Sequence, residues 1–139
     1  MTDWSKVGRS SRRKGAAFER RCRTVMSTLT GHPNWRRTSA GHEQFYGDLI
    51  AVKENGEPDT KSWWYGHYVE CKYRTSFPSV REVRDIEKEV IEKSRGKKWL
   101  ILIGQPRSPI MVLMGCGDLV EFDEGCNERL LLGPIYLYG

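Results

Sequence analysis

Cysteine pairs, long apolar runs and acidic residues near the N-terminus are all scarce in this chain of 139 residues. No segment approaches the roughly 18 continuous apolar residues of a membrane span, so no membrane partner is expected. The basic start is followed by no apolar h-region, so no secretory signal is visible and a cytoplasmic location is expected. The four cysteines, Cys22, Cys71, Cys116 and Cys126, form no Cys-x-x-Cys pair and lie inside or beside apolar stretches. They read as small buried hydrophobes in a reducing compartment, not as a disulfide framework. With His32, His42 and His67 they lack the spacing of zinc ligands. No internal repeat, low-complexity tract or interdomain linker is seen. The length suits one domain, able to bury about two-thirds of its unfolded surface.

Acid is what the first quarter lacks. Residues 1–37 hold ten Lys and Arg against Asp3 and Glu19, a balance of +8, whereas residues 38–139 balance at −3. A basic segment on a mildly acidic body suits a polyanionic partner; a solvated, soluble surface is the alternative. Arg12, Arg13, Lys14, Arg20, Arg36 and Arg37 are the main candidates for phosphate contacts.

Residues 1–10 are polar and expected to be flexible. From Ser11 to Leu29, Phe18, Cys22, Val25, Met26 and Leu29 recur at helical steps. Ser10 or Ser11 can cap the start and Gly31 the end. Trp35–Ser39 reads as a short strand, residues 40–47 as a polar loop and Asp48–Val52 as a strand. Asn55-Gly56 favours a turn, after which Trp63–Tyr73 is expected to return antiparallel to that strand. Ser79-Val80-Arg81-Glu82 is a capping box opening a helix to about Ser94. Trp99–Ile103 is continuously apolar, as in a sheet centre covered on both faces, and Ile110–Met114 is a further strand. Residues 118–123 and 135–138 can add short strands. This order predicts a single α/β domain, a mixed sheet flanked by helices.

Two residues on one apolar strand are charged and share a face. Side chains alternate with period two, so Glu70 and Lys72 point the same way and Val69, Cys71 and Tyr73 the other. Asp48 opens the preceding apolar strand. Neighbouring carboxylates repel and raise one another's pKa unless a cation is held between them, and hard oxygen donors suit Mg²⁺. A nearby ammonium stabilises developing negative charge. This is the equipment of metal-assisted phosphodiester hydrolysis; a surface Asp beside a Glu–Lys ion pair is the alternative. Glu19, beside Phe18 on the helix stripe, is a third candidate carboxylate, with an i,i+4 pair to Arg23 as its alternative. Trp63, Trp64, Tyr65 and Tyr68 offer base stacking or plain cross-strand packing. The Ser39–Gly47 loop, with His42 and Glu43, is a candidate DNA-contacting loop or an ordinary surface loop.

Four blocks occur in order: Arg13-Lys14-Gly15-Ala16-x-x-Glu19-Arg20, Arg37-x-Ser39-Ala40-Gly41, Asp48-Leu49-Ile50-Ala51 and Val69-Glu70-Cys71-Lys72. Together they resemble the archaeal-type Holliday junction resolvases of the PD-(D/E)xK nuclease superfamily, over roughly residues 12–103. The resemblance implies a restriction-endonuclease-like fold, a symmetric homodimer, dependence on Mg²⁺ (with Mn²⁺ as substitute) and paired nicking of four-way DNA junctions, with branched or duplex DNA as the partner. It maps Glu19, Asp48 and Glu70 onto metal ligation and Lys72 onto the catalytic lysine. It puts Arg20, Arg37 and Ser39 near DNA or the active site. Gly47 stands where the superfamily pattern has Pro, and the helix from Ser79 lacks a Gln found in many superfamily members. A nicking, repair or restriction-type endonuclease and a non-catalytic DNA-binding module are the other readings.

Overall fold

The structure, a computed structural model, describes the backbone of residues 4–115 and 135–138 and the side chains of residues 15–115. The chain opens with helix α1, Trp4–Thr30. It starts seven residues before the expected Ser11, so Ser10 and Ser11 lie inside it and most of residues 1–10 is helical. No proline stands in this stretch, and a lone Gly8 costs only about 1 kcal/mol in a helix interior. Gly31, at φ 74°, ends the helix and donates its N–H to the Ser27 carbonyl at 3.0 Å, as a left-handed C-terminal cap does.

Strand β1, Trp35–Arg37, pairs antiparallel with β2, Leu49–Ala51, with Trp35 opposite Ala51 and Arg37 opposite Leu49. Between them, His42–Tyr46 forms a 3-10 turn. Strand β3, His67–Tyr73, runs parallel to β4, Lys98–Gly104, through the crossover helix α2, Val80–Ser94. Strand β5, Met111–Gly115, is antiparallel to β4 and parallel to β6, Ile135–Tyr138. The sheet is therefore mixed, in the order β3-β4-β5-β6. The expected strand over 118–123 lies outside the described residues.

One expectation is corrected. β3 is not the antiparallel partner of β2; the two approach through a single parallel bridge, Gly47 to Val69. The Asn55-Gly56 turn does fold back, but its return ends at the antiparallel bridge between Val52 and Pro58. A second reversal follows in the 3-10 turn Trp63–Gly66, capped by the Ser62 hydroxyl accepting from Trp64 N–H. Two reversals restore the original direction, so β3 sets out parallel to Gly47–Leu49.

The apolar run of β4 faces both layers. Leu100 and Leu102 pack with Phe18, Cys22, Met26 and Leu29 of α1, together with Leu49, Val69, Val112 and Met114. Ile101 and Ile103 point the other way, onto Val83, Ile86 and Val90 of α2, with Tyr68 and Leu113. This is a sheet sandwiched between helices, built from the period-two alternation of its strands. Helix α2 begins as the capping box requires, with the Ser79 hydroxyl accepting from Glu82 N–H at 3.2 Å, and ends at Arg95 in the left-handed region. No helix among the described residues is long and apolar enough to cross a membrane.

Gly104 closes β4 directly under Phe18. A Cβ there would stand 2.1 Å from the Phe18 ring, so that ring, buried and packed against Tyr73, would have to shift. Gly104→Ala is expected to destabilise the fold by about 1–3 kcal/mol, the usual range for overpacking. Urea unfolding measures this, and an unchanged midpoint would contradict the packing described.

Candidate functional site

The site begins with a backbone contact. Asp48 donates its N–H to the Val69 carbonyl at 2.7 Å, and its carboxylate Oδ2 accepts the Cys71 N–H at 2.7 Å. Asp48 thus straddles the β3 backbone on either side of Glu70. On the other flank, Thr38 donates its hydroxyl to the Gly47 carbonyl at 2.7 Å and its N–H to the Asp48 carbonyl at 3.1 Å. Such closeness requires glycine at 47. Its φ is 86°, and a Cβ would lie 2.3 Å from the Val69 carbonyl oxygen. Proline, fixed near φ −65°, cannot take this conformation.

Glu70 and Lys72 share a face as the alternation requires, and their side chains meet, Nζ to Oε1, at 3.1 Å. Glu70 is only 7% exposed. Tyr68 lies beside Glu70 in the same pocket; burial first, then that carboxylate, pushes the phenol well above its ordinary range. Glu19 does not pair with Arg23. It reaches across from α1 to Arg37 Nε on β1, at 3.2 Å.

These groups converge on a pocket of about 330 Å³. It is lined by Glu19, Arg37, Asp48, Tyr68, Glu70 and Lys93, with Thr38, Gln44 and Gly47. Three of the four predicted catalytic residues line it. Lys72 does not; the ammonium in the lining belongs to Lys93, near the end of α2. Lys93 is ion-paired to Glu89 one helical turn back, and its pKa is raised first by that bond and further by the charges of Glu70 and Asp48. Lys93 was missed in the sequence, yet a signal was there. It stands three positions after Val90 and seven after Ile86, next to the buried Ser94, so it places a charge at the edge of the helix's apolar stripe. Tyr68, counted among the aromatics, belongs to the site as well.

The pocket is electrostatically strained at Asp48. Burial is the largest cause, opposed by the Cys71 N–H and reinforced by the nearby charges of Glu70 and Glu19, and it lifts the Asp48 pKa to about 6. Among the described residues, no group of three His, Cys, Asp or Glu side chains is close enough to hold a metal ion between them.

The predicted DNA-contacting residues divide. Arg37 is exposed and lines the pocket, and Arg20 is exposed on α1. The side chains of Arg12, Arg13 and Lys14 lie outside those described. Arg36 is committed within the fold. It grips both carboxylate oxygens of Glu43, at 2.7 and 3.0 Å, and the Gly56 carbonyl at 2.7 Å. Glu43 also accepts the Ser39 N–H at 3.0 Å, and these bonds hold its pKa down to about 2. Arg36 and Ser39 therefore anchor the 42–46 turn. His42 lies edge-on to Phe45 and Tyr46 in that turn. Of the aromatic cluster, Trp64 and Tyr68 are buried, Tyr65 stacks on Tyr46 and Trp63 is exposed.

Comparison with family models, with curated proteins and with solved structures found no match.

The Asp48 shift has a consequence for stability that needs no substrate. An acid whose folded pKa, about 6, lies above its ordinary 3.8 holds its proton more tightly in the folded state. Folding therefore loses stability as pH rises between those values, and the loss is complete above about 6. Asp48→Asn removes the ionisation and keeps an oxygen for the Cys71 N–H. The variant is expected to be more stable than wild type at pH 7.5, with the difference closing near pH 4. Urea midpoints at both pH values test this; a variant less stable than wild type at pH 7.5 would contradict it.

Proposed function

We propose that this chain is a metal-dependent endonuclease of restriction-endonuclease-like fold, acting on branched DNA at four-way junctions as a homodimer. One observation carries the reading: Asp48, just ahead of β2, and Glu70, on β3, are brought into one basic-rimmed pocket that also holds Lys93 and Arg37.

The donor set suits a hard divalent cation. Mg²⁺ is usually held by one or two carboxylates together with water and substrate phosphates, not by an all-protein cage. Asp48 and Glu70 would be the two carboxylates. Glu19, held by Arg37, lines the same pocket and supports them. Mn²⁺ can substitute, having the same ligand preference. When bound, such an ion supplies charge neutralisation at the phosphate and a more acidic water. The rest falls to the chain itself. The Cys71 N–H fixes the orientation of Asp48, and Lys72 fixes that of Glu70. Lys93 and Arg37 present positive charge where a phosphate entering the pocket would develop negative charge. Lys72 acts through Glu70, so two ammonium groups divide the work that the resemblance assigns to one.

Synthetic four-way junctions, duplexes and single strands, incubated with Mg²⁺ or with EDTA, test the proposal. Cleavage is expected of junctions, with Mg²⁺ only. Asp48→Asn, Glu70→Gln and Lys72→Ala are each expected to slow it by about 10²–10³-fold or more, and Lys93→Ala by a comparable factor. Junction binding should survive in all four. Cleavage in EDTA, or wild-type rates in Asp48→Asn, would overturn the reading. Equal cutting of plain duplex would replace the junction substrate by duplex DNA.

A further inference from the structure

We propose that a second groove, on the opposite face of β1 from the acidic pocket, is a docking site for the phosphodiester backbone of a DNA arm, with Arg20, Arg23 and Lys53 as its phosphate contacts. The groove encloses about 490 Å³ between α1 and the β1–β2 ribbon. Arg20, Arg23, Thr24 and Ser27 enter it from α1, spaced i, i+3, i+4 and i+7 on a single helical face. Lys53, just past β2, enters from the other side. The turn carrying it is tied by Lys53 N–H to the Glu57 carbonyl at 2.8 Å and Gly56 N–H to the Lys53 carbonyl at 2.9 Å.

The charges are not there to hold the fold together. Arg20, Arg23 and Lys53 form no ion pair among the described residues, in contrast with Arg36, Arg37, Lys72 and Lys93. Glu54 is the one acid in the lining, against four bases. At the groove's inner side, Trp35 is 7% exposed and keeps a buried indole N–H with no hydrogen-bond partner. Unpaired like charges facing one open groove repel one another, and a polyanion relieves that repulsion.

The chemistry of the lining names the part of DNA that fits. Thr24 and Ser27 spend their hydroxyl protons on the Arg20 and Pro33 carbonyls. The charged donors left for a ligand are cationic, the equipment that positions phosphates without reading bases. The location fits as well. Adjacent residues serve the two sites: Glu19 lines the acidic pocket and Arg20 the groove, Arg37 the pocket and Arg36 the groove. A strand sends neighbours to opposite faces, so β1 is a thin wall between them, and one duplex arm can lie in the groove while a neighbouring strand enters the pocket. That last step rests on the nuclease reading; binding in the groove does not.

Fluorescence-anisotropy titrations of the full chain with labelled duplex and junction DNA in EDTA, at several salt concentrations, test the inference. Each phosphate contact contributes about 0.9 to the slope of log affinity against log salt. Arg23→Ala with Lys53→Ala is expected to weaken binding and flatten the slope by about 2, equally for duplexes of different sequence. Arg23→Lys with Lys53→Arg should keep the slope. Lys53→Glu, a change at an exposed position, weakens binding even where the double variant is unstable. An unchanged slope in the double alanine variant, or unchanged affinity in Lys53→Glu, overturns the groove. A flattened slope with a wild-type protein that never cuts DNA would sustain the groove and remove the nuclease.

Discussion

The approach of Gly47–Asp48 to Val69–Cys71 is the contact from which the rest of the site is built. Two short hydrogen bonds, both 2.7 Å, tie Asp48 to the β3 backbone through its amide and through its carboxylate. Thr38 holds the same dipeptide from the β1 side. Because the side chain of Asp48 is bonded to Cys71 N–H, its position relative to Glu70 is set by backbone geometry and not by rotamer choice. Glycine at 47 is the condition for all of it, since any Cβ would collide with the Val69 carbonyl. A site fixed in this way is pre-organised on strands, which hold functional groups more precisely than loops do.

The electrostatics divide into charges that the fold uses and charges that it tolerates. Arg36 and Glu43 form a fork-to-fork pair that also ties Ser39 and Gly56, and such bidentate pairs are strong and directional. They secure the loop between β1 and β2. Asp48 is different: its ionisation is opposed by burial and by Glu70 and Glu19. A fold selected for stability alone has no use for three carboxylates around one pocket, and an acid perturbed by burial and by neighbouring charge in a cleft is a functional-site candidate. The bases nearby are distributed to match. Lys72 and Arg37 each hold one carboxylate, and Lys93 stands on the facing helix.

Much of this was legible because it depends on short-range periodicity. The alternation along β3 put Glu70 and Lys72 on one face, and they meet there. The stripe from Phe18 to Leu29 forms the α1 face of the core, and the Ser79 capping box starts α2 one residue on. What was hidden depends on tertiary placement. The direction of β3 relative to β2 depends on two successive reversals, and the sequence marks only the first, at Asn55-Gly56. The early start of α1 was obscured by serines, which signal a cap but are tolerated inside a helix. Arg36 and Arg37 look alike in sequence, yet opposite faces of β1 give one an internal carboxylate and the other an exposed pocket edge. Lys93 reaches the pocket only because the β3–α2–β4 crossover lays the last turn of α2 beside Glu70.

We propose that Asp48 is a strained acid kept for a divalent cation. Carboxyl-carbon NMR of selectively ¹³C-labelled Asp48, titrated with pH in the presence and absence of Mg²⁺, addresses it most directly. A midpoint of about 6 is expected without the metal, moving down when Mg²⁺ is added and unmoved by an equal ionic strength of NaCl. A midpoint near the ordinary 3.8, or one near 6 that ignores Mg²⁺, would contradict it.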